Sequence, residues 1–515
     1  MAVSVPLLYR SNPQCHFEPP LYIVDDEIYR YTPTFVISTI DKMANIGTSL
    51  GFKSILGLNN GRCPEHGFVA SGKNCLVPNC KHPLEEGPER KDPIPTLFIQ
   101  DELHLVNESL GTFDSHYESL IQYISANLVP PNYRKTIKYI GATATISNYQ
   151  SHINGLYSKN AKKFPATIQK KNFYSFVDDN DISRIIIGAA LYGGSITESI
   201  QKIITEMRVL ITLWYQNLKS VTSRLKTLGF LGGEKELSEI LQLYLIAIAY
   251  NNSKDDAGKL ETVLENQGNN YLNGLGIPNF HIAEITGDVE FKTVKSVMHE
   301  VELPGDNYEK KNVIIATSAI SHGVDEDCFN QIYFFGMPSQ TSEYIQAYSR
   351  VGRAYTGIVF DIFRIVRDKD KSYLKNFYNY HLYKDRLIDP VPINRYAKNA
   401  IYSTLPGVVA ALLYQCYVRS NRAIKVTKEI NEGRLTESQL IHDVESIYEC
   451  DKSESMMYKY IIDEEVRKIF TAFATNTSPD VEIKDVIKNA SSKHKGPMTN
   501  LRDVDVALDV QLKQK

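Results

Sequence analysis

The chain has little of several things, and each shortage excludes a class of protein. Net charge is nearly absent: 57 Lys+Arg stand against 60 Asp+Glu, a formal balance of -3. A histone-like polycation is excluded; a local cationic groove is not, because nucleic-acid binding depends on where the cations sit. Cysteine is scarce, seven in 515 residues, too few for a disulfide scaffold. No apolar run approaches the roughly 20 residues of a spanning helix; the longest candidate lies near Leu405 to Tyr414. The first ten residues hold no basic segment followed by a long apolar core, so they do not read as a signal peptide. A soluble, cytoplasmic protein is expected. Internal repeats and low-complexity tracts are missing too. With 43% hydrophobic residues, the chain can still bury real cores, and its length suggests roughly three domains.

What is there begins with Pro95-Thr-Leu-Phe-Ile-Gln-Asp-Glu-Leu-His104. Thr96 to Ile99 reads as a buried strand, and two acids follow it. In open parallel α/β sheets, ligands sit at the carboxyl ends of strands. A carboxylate there can hold Mg²⁺ on nucleotide phosphates and a second can orient the attacking water. Asp101 suits the first role and Glu102 the second. Thr136 to Thr145 repeats the pattern, with Thr143 and Thr145 offering hydroxyls that relay hydrogen bonds. A third stretch runs from Asn312 through Asp325 and Gln331-Ile-Tyr-Phe-Phe-Gly-Met-Pro338 to Ala354. Val313 to Ala316 and Ile332 to Phe335 read as buried parallel strands. The segment from Ser339 predicts a helix through Arg353, which would set Gln346, Arg350 and Arg353 on one face. Two guanidiniums so placed can grip a triphosphate and stabilise transition-state charge.

These stretches resemble, in order, the motifs of superfamily 2 helicases. Asp101-Glu-Leu-His104 resembles the DExH form of motif II, and Gly141-Ala-Thr-Ala-Thr145 resembles motif III. Ala249-Tyr-Asn-Asn-Ser-Lys254 resembles motif IV, Thr317 through Asp325 motif V, and Gln346-Ala-Tyr-Ser-Arg-Val-Gly-Arg353 motif VI. Thr34 to Asp41 resembles motif Ib, which meets the nucleic-acid backbone. The match covers roughly residues 30–365. The Ile99-Gln-Asp-Glu-Leu-His-Leu105 run, Asn394-Arg-Tyr-Ala397, Thr404-Leu-Pro-Gly407 and Leu501-Arg-Asp-Val-Asp505 resemble more narrowly the helicase subunit of DISARM-type phage-defence systems.

The resemblance implies a component of an ATP-dependent helicase or translocase, with DNA as its nucleic acid and ATP with Mg²⁺ as its cofactor. Asp101, Glu102, His104, Gln346, Arg350 and Arg353 would be catalytic. Gly323 and Asp325 would join Asp101 and the two arginines at the nucleotide. Thr39, Ser253 and Thr317 would meet nucleic acid, and Thr143 and Thr145 would couple the two activities. The implied fold is α/β with RecA-like parallel sheets: one complete C-terminal helicase lobe, one N-terminally truncated lobe, an insert and a helical C-terminal region. The expected divisions are 1–177 for the truncated lobe, with the insert at 57–93, then 178–240 as a helical linker holding Trp214 in its core. The second lobe follows at 241–366 and the helical region at 367–515.

One family element is missing. No Gly-x-x-x-x-Gly-Lys-Ser/Thr occurs in the sequence, and that loop is what cradles the phosphates. The expectation is a C-terminal portion of a helicase, inactive as an ATPase until an upstream fragment supplies the loop; a non-catalytic nucleic-acid-binding or scaffold subunit is the alternative. The insert has its own pattern: Cys63, His66, Cys75 and Cys80, spaced C-x2-H-x8-C-x4-C, can close a tetrahedral structural Zn²⁺ site, with His82 as a substitute ligand. Lys369 to Arg386 mixes Lys, Arg and Tyr, a composition able to follow phosphates and stack on bases or to form a solvated face.

Overall fold

The computed structural model describes residues 21–502 apart from 60, 71, 73, 76, 86–91, 144–145, 147, 165–170, 173–174, 177–181, 191–194, 288, 318–327, 390–392, 419 and 454–455. Thr145, Gly323, Asp325 and most of the motif V stretch therefore lie outside the described residues. Among the described residues no helix is long and apolar enough to cross a membrane. The chain folds as two units: 1–143 with 149–161 and 391–515, and 144–148 with 162–390.

The first unit is mostly helical. A hairpin of β1 (Gly61–Cys63) and β2 (Gly67–Val69) lies in the cysteine insert. Strands β3 (Leu97–Gln100) and β4 (Lys138–Gly141) pair in parallel, Gln100 opposite Gly141. Parallel neighbours need a long crossover, and the helix Glu108–Tyr123 supplies it. That helix is buried on most of its surface, because helices from distant sequence enclose it. Tyr117, Leu120 and Ile121 share one core with Leu405, Val408 and Val409 of the helix Lys398–Ala411, and with Val444 and Ile469. The Thr404-Leu-Pro-Gly407 run acts in packing: a Cβ on Gly47 would sit 2.7 Å from the Gly407 carbonyl oxygen, so the two backbones nearly touch. His116 Nδ1 lies 2.8 Å from Thr404 Oγ1 and its Nε2 2.7 Å from the Arg395 carbonyl. The expected buried strand at 96–99 is only half covered. Phe98 and Tyr139 face the helical core, whereas Leu97, Ile99 and Ile140 on the other face are exposed.

The second unit is built on six parallel strands: β5 (Arg184–Ala190), β6 (Ala247–Asn251), β7 (Ile282–Ile285), β8 (Val313–Ala316), β9 (Gln331–Phe335) and β10 (Gly357–Phe363). Their order across the sheet is β5-β10-β9-β6-β8-β7, with every pair parallel. Central strands β6, β8 and β9 are buried at every position, as sheets covered on both faces require. One face packs Ile246, Ile248, Phe334 and Tyr344; the other packs Ala249, Ile315, Tyr333 and Ile200. This is the RecA-like architecture expected of a helicase lobe.

Several divisions differ from expectation. The segment 178–240 does not begin as a helical linker: Arg184–Ala190 is an edge strand paired along its length with β10. The helix Ile196–Gln216 that follows lays Ile200 and Ile204 on the sheet, so this stretch belongs to the second unit. Trp214 lies on the outer side of that helix with Leu210 and Leu213, 38% exposed, and not in a core. The region 367–515 also divides, since residues 368–389 stay with the second unit and 393–502 join the first.

The helix Glu108–Tyr123 carries a buried pair of acids one turn apart. Asp114 and Glu118 are both withdrawn from water, and Tyr139 donates a 2.8 Å hydrogen bond to Glu118. Burial, then the neighbouring Glu118 and Asp41 charges, push the Asp114 carboxyl well up. Burial lifts Glu118 from its ordinary 4.5 to about 7, against the Tyr139 bond that lowers it. A carboxyl raised in the folded state stabilises it while protonated; that contribution is complete below about pH 4.5 and is lost as pH rises through about 7. The thermal midpoint of this unit should thus fall between pH 5 and pH 8. Glu118→Gln, which keeps an acceptor for Tyr139, should make that fall shallower in calorimetry, the remainder belonging to Asp114. An unchanged slope would refute the assignment.

Candidate functional site

In the first unit, β3 and β4 end side by side, so the turns that leave them meet. Asp101 and Glu102 are exposed at the end of β3. The Glu102 backbone N–H donates to Asp101 Oδ1 at 2.9 Å, and Glu102 holds a left-handed φ of 47°, a strained conformation for a non-glycine residue. Leu103 N–H bonds the Ala142 carbonyl at 2.9 Å across the two turns. His104 is buried beneath the acids, its Nδ1 2.9 Å from Thr143 Oγ1 and 3.4 Å from Glu102 Oε2. The motif II histidine and the motif III threonine are therefore in direct contact. Thr39 sits exposed at the start of a 3-10 helix, Ile40–Gly47, where its carbonyl accepts from Lys42 N–H at 3.1 Å.

In the second unit, the parallel register carries the motif residues to one edge. Asn251 ends β6, and Thr317 follows β8, its neighbour. Thr317 N–H bonds the Ile285 carbonyl of β7 at 3.2 Å. Ser253 is the N-cap of the helix Lys254–Val263, its Oγ accepting from Asp256 N–H at 3.2 Å. Asn252 Nδ2 donates to the carbonyls of Phe335, Gly336 and Met337 at 3.0, 3.3 and 3.3 Å, closing the β6 and β9 loops on each other. Arg364, just past β10, pairs with Asp256 and lies 4.1 Å over the Phe335 ring.

The motif VI helix is shorter than expected. It spans Thr341–Tyr348 and stops before Arg350 and Arg353, so these arginines do not continue a helical face with Gln346. The cause is a cap from β5. Arg184 Nε donates to the Val351 carbonyl at 2.7 Å and its Nη2 to the Ser349 carbonyl at 3.1 Å. Gly352 then turns with φ of +77°, which glycine alone adopts without strain. Gln346 and Arg350 are half-buried and Arg353 is exposed.

A second support was invisible in the sequence. Tyr344 donates to Asp361 Oδ2 at 2.9 Å, and His381 Nε2 lies 3.1 Å from the same oxygen and 3.0 Å from the Tyr344 hydroxyl. His381 Nδ1 sits 2.8 Å from the Phe377 carbonyl, which places a proton on that nitrogen. Burial raises the Asp361 carboxyl, while its His381 and Tyr344 partners lower it. The network ties the motif VI helix to β10 and to the helix Phe377–Tyr383.

The cysteine insert converges as its spacing suggests. The β1–β2 turn brings Cys63 and His66 together, and a turn at Asn79, with φ of 66°, returns Cys80 to them. Cys63 Sγ lies 3.5 Å from His66 Nδ1 and 3.7 Å from Cys80 Sγ, and Cys75 Sγ lies 3.6 Å from His66 Nδ1. All four ligand atoms fall within 4.8 Å of one another. A tetrahedral Zn²⁺ with bonds of about 2.3 Å to sulfur and 2.0–2.1 Å to nitrogen would set S···S at about 3.8 Å and S···N at about 3.5 Å. The donor set fits that ion. Burial pushes the Cys63 thiol up, but hydrogen bonds from the His66 backbone and ring outweigh it and bring the thiol down to about 6. His82 is not among the four; its Nε2 pairs with Glu65 at 3.2 Å.

Removing the Tyr344 hydroxyl should weaken the buried network around motif VI. Tyr344→Phe leaves Asp361 with one donor fewer, an expected loss of about 1–3 kcal/mol in urea unfolding of the second unit. A change below about 0.3 kcal/mol would show that the hydroxyl carries no such weight.

Residues 245–355 match the model for the helicase conserved C-terminal domain. The chain is 29% identical over 426 residues to the DISARM protein DrmA of Bacillus paralicheniformis, covering 80% of this chain and 36% of that protein. Among solved structures, it is similar to the DUF1998 helicase MrfA bound to DNA, at 15% identity and a TM-score of 0.42, over 62% of this chain and 38% of that one. It is also similar to Mycobacterium smegmatis helicase Lhr bound to ssDNA and AMP-PNP, at 11% identity and a TM-score of 0.42, over 74% of this chain and 38% of that one. The chain thus spans little more than a third of the length of these relatives. Residues 245–355 thus match a helicase conserved C-terminal domain, in a chain similar to the DISARM protein DrmA.

Proposed function

We propose that this chain is a nucleic-acid-gripping and nucleotide-sensing component of an ATP-dependent DNA helicase or translocase of a phage-defence system. The observation that carries this reading is the single edge of the second unit's sheet. Ser253 and Thr317 leave adjacent strands there, within a stretch matching a helicase domain. Backbone N–H groups and hydroxyls at such strand ends contact phosphates without reading sequence. Ser253 already caps a helix, so the backbone around it is the better contact.

Nucleotide chemistry divides among named side chains. Asp101 would hold Mg²⁺ and Glu102 would orient water; both are exposed at the end of β3. His104 links that turn to Thr143 and so would couple motif II to motif III. Arg350 and Arg353 would neutralise charge on the phosphates, Gln346 standing beside them, with Gly323 and Asp325 completing the nucleotide side. Mg²⁺ with ATP supplies a polarised phosphoryl group when bound. Hydrolysis also needs a phosphate-cradling loop, and residues 1–515 contain no Gly-x-x-x-x-Gly-Lys-Ser/Thr. That absence favours, as the second reading, a subunit that binds DNA without hydrolysing ATP. In the first reading, a partner or chain segment bearing that loop is what the motor would require.

Purified residues 1–515 with single-stranded DNA and Mg²⁺-ATP should turn over well below about 1 s⁻¹. Added polypeptide carrying the loop should raise the rate. Turnover above that value by the chain alone would overturn the division of labour.

Cys63, His66, Cys75 and Cys80 would hold structural Zn²⁺, since four protein ligands leave no open position. Native purification should recover close to one equivalent of zinc per chain. Cys75→Ser should lower that content below half and destabilise the insert to proteolysis. Less than half an equivalent in the unaltered protein would remove zinc from the reading.

A further inference from the structure

Residues 368–387 form a ridge that the helicase motifs leave unused. It starts at the same edge of the second unit's sheet: Lys369 Nζ donates to the Pro338 carbonyl at 3.0 Å and to the Ser339 carbonyl, both in the loop after β9. Two short helices follow, Asp368–Lys375 and Phe377–Tyr383. Their inner side is fixed. Phe377 packs edge-on against Phe363 of β10, Tyr380 meets Tyr373 at 4.3 Å, and His381 is held by Asp361.

The outer side is a different chemistry. Tyr378 is 76% exposed and Tyr383 48% exposed, on a helix whose buried side already holds Phe377, Tyr380 and His381. Cations flank them in sequence: Lys371, Lys375 and Arg386, with the Arg386 guanidinium 6.0 Å from the Tyr383 ring centroid, while Lys384 turns inward over Tyr348. The acids of the stretch are committed. Asp368 pairs with Lys371 at 3.2 Å, Asp385 with Lys384 at 3.7 Å, Asp370 accepts the Arg364 N–H at 2.8 Å, and Asp389 accepts the Thr341 N–H at 3.1 Å. Among the described residues Lys375 and Arg386 have no carboxylate partner.

We propose that Tyr378 and Tyr383, with Lys375 and Arg386, form a stacking surface for single-stranded nucleic acid as it leaves the sheet edge. Exposed rings offer platforms to bases of any identity, and unpaired cations beside them offer partners to phosphates. A duplex presents stacked, inward bases, so the ridge selects single strands. The surface extends the reading of the second unit as a nucleic-acid lobe and rests on it.

The test is fluorescence anisotropy with a labelled 20-nucleotide oligothymidylate and the full chain. Tyr378→Ala with Tyr383→Ala should weaken binding about tenfold or more, from the stacking free energy of one to two bases. Tyr378→Phe with Tyr383→Phe keeps the rings and should stay within about threefold of the parent. An abasic 20-mer should bind the parent and the alanine pair equally, because it has no base to stack. Lys375→Ala with Arg386→Ala should lower the log–log salt slope by about 1.4, or 0.7 for each single-strand phosphate that is no longer neutralised. If the parent binds the oligonucleotide and the alanine pair binds it equally, the ridge is overturned and the nucleic-acid reading stands. If the parent binds no oligonucleotide at physiological salt, both fall.

Discussion

Parallel strand pairing is the constraint on which the rest depends. A parallel neighbour can be reached only by a crossover that returns the chain to the starting edge. Each strand therefore ends on the same side as its neighbour. In the second unit this sends the loops after β6, β7, β8, β9 and β10 to one edge. In the first it sets the turn after β3 beside the turn after β4. Motif residues far apart in sequence meet because the backbone hydrogen bonds allow no other arrangement. Burial of β6, β8 and β9 on both faces then fixes the register, since a slip of one residue would exchange the two cores.

Within that frame, the motif side chains are held mostly by residues outside the motifs. Arg184 ends the motif VI helix by taking its carbonyls, and Asp361 with His381 anchors the same helix through Tyr344. Asn252 ties the loop after β6 to the loop after β9. Such buried polar groups are costly when half-satisfied. Their partners are therefore as constrained as the motif residues themselves.

Much of this was legible where chemistry follows spacing. Val313 to Ala316 reads as a strand and is one, and Ile332 to Phe335 is correct to one residue. The cysteine and histidine spacing names the four atoms that converge. Where long-range pairing decides, the sequence misleads. Arg-Ile-Ile-Ile-Gly-Ala-Ala, at 184–190, holds three β-branched residues, which favour a strand, but the helical spacing of Ile200 to Ile211 draws the whole stretch 178–240 into a helical reading; pairing with β10 shows the strand. The helix expected through Arg353 stops at Tyr348 because of an arginine 167 residues before Val351. Tyr344, Asp361 and His381 have no spacing rule, and each alone reads as an ordinary core residue. The half-covered β3–β4 pair escaped for a related reason: an apolar run shows that a strand wants cover, not that cover is present.

The split first unit has a consequence for synthesis. Gln415 bonds the Ile46 carbonyl across 369 residues, and Tyr123 bonds Asp443 across 320. At about 5–20 residues per second, the earlier half of this core waits roughly 20 to 70 seconds on the ribosome for its partner. The second unit, 162–390 apart from a short piece at 144–148, emerges whole in that interval. Translation thus imposes an order: the sheet is finished first, while the helix Glu108–Tyr123, buried on most of its surface in the fold, stays unsheltered until the helices after residue 398 arrive. A premature stop late in the message would leave that helix bare instead of trimming a tail, and such a product is a substrate for chaperones and proteases.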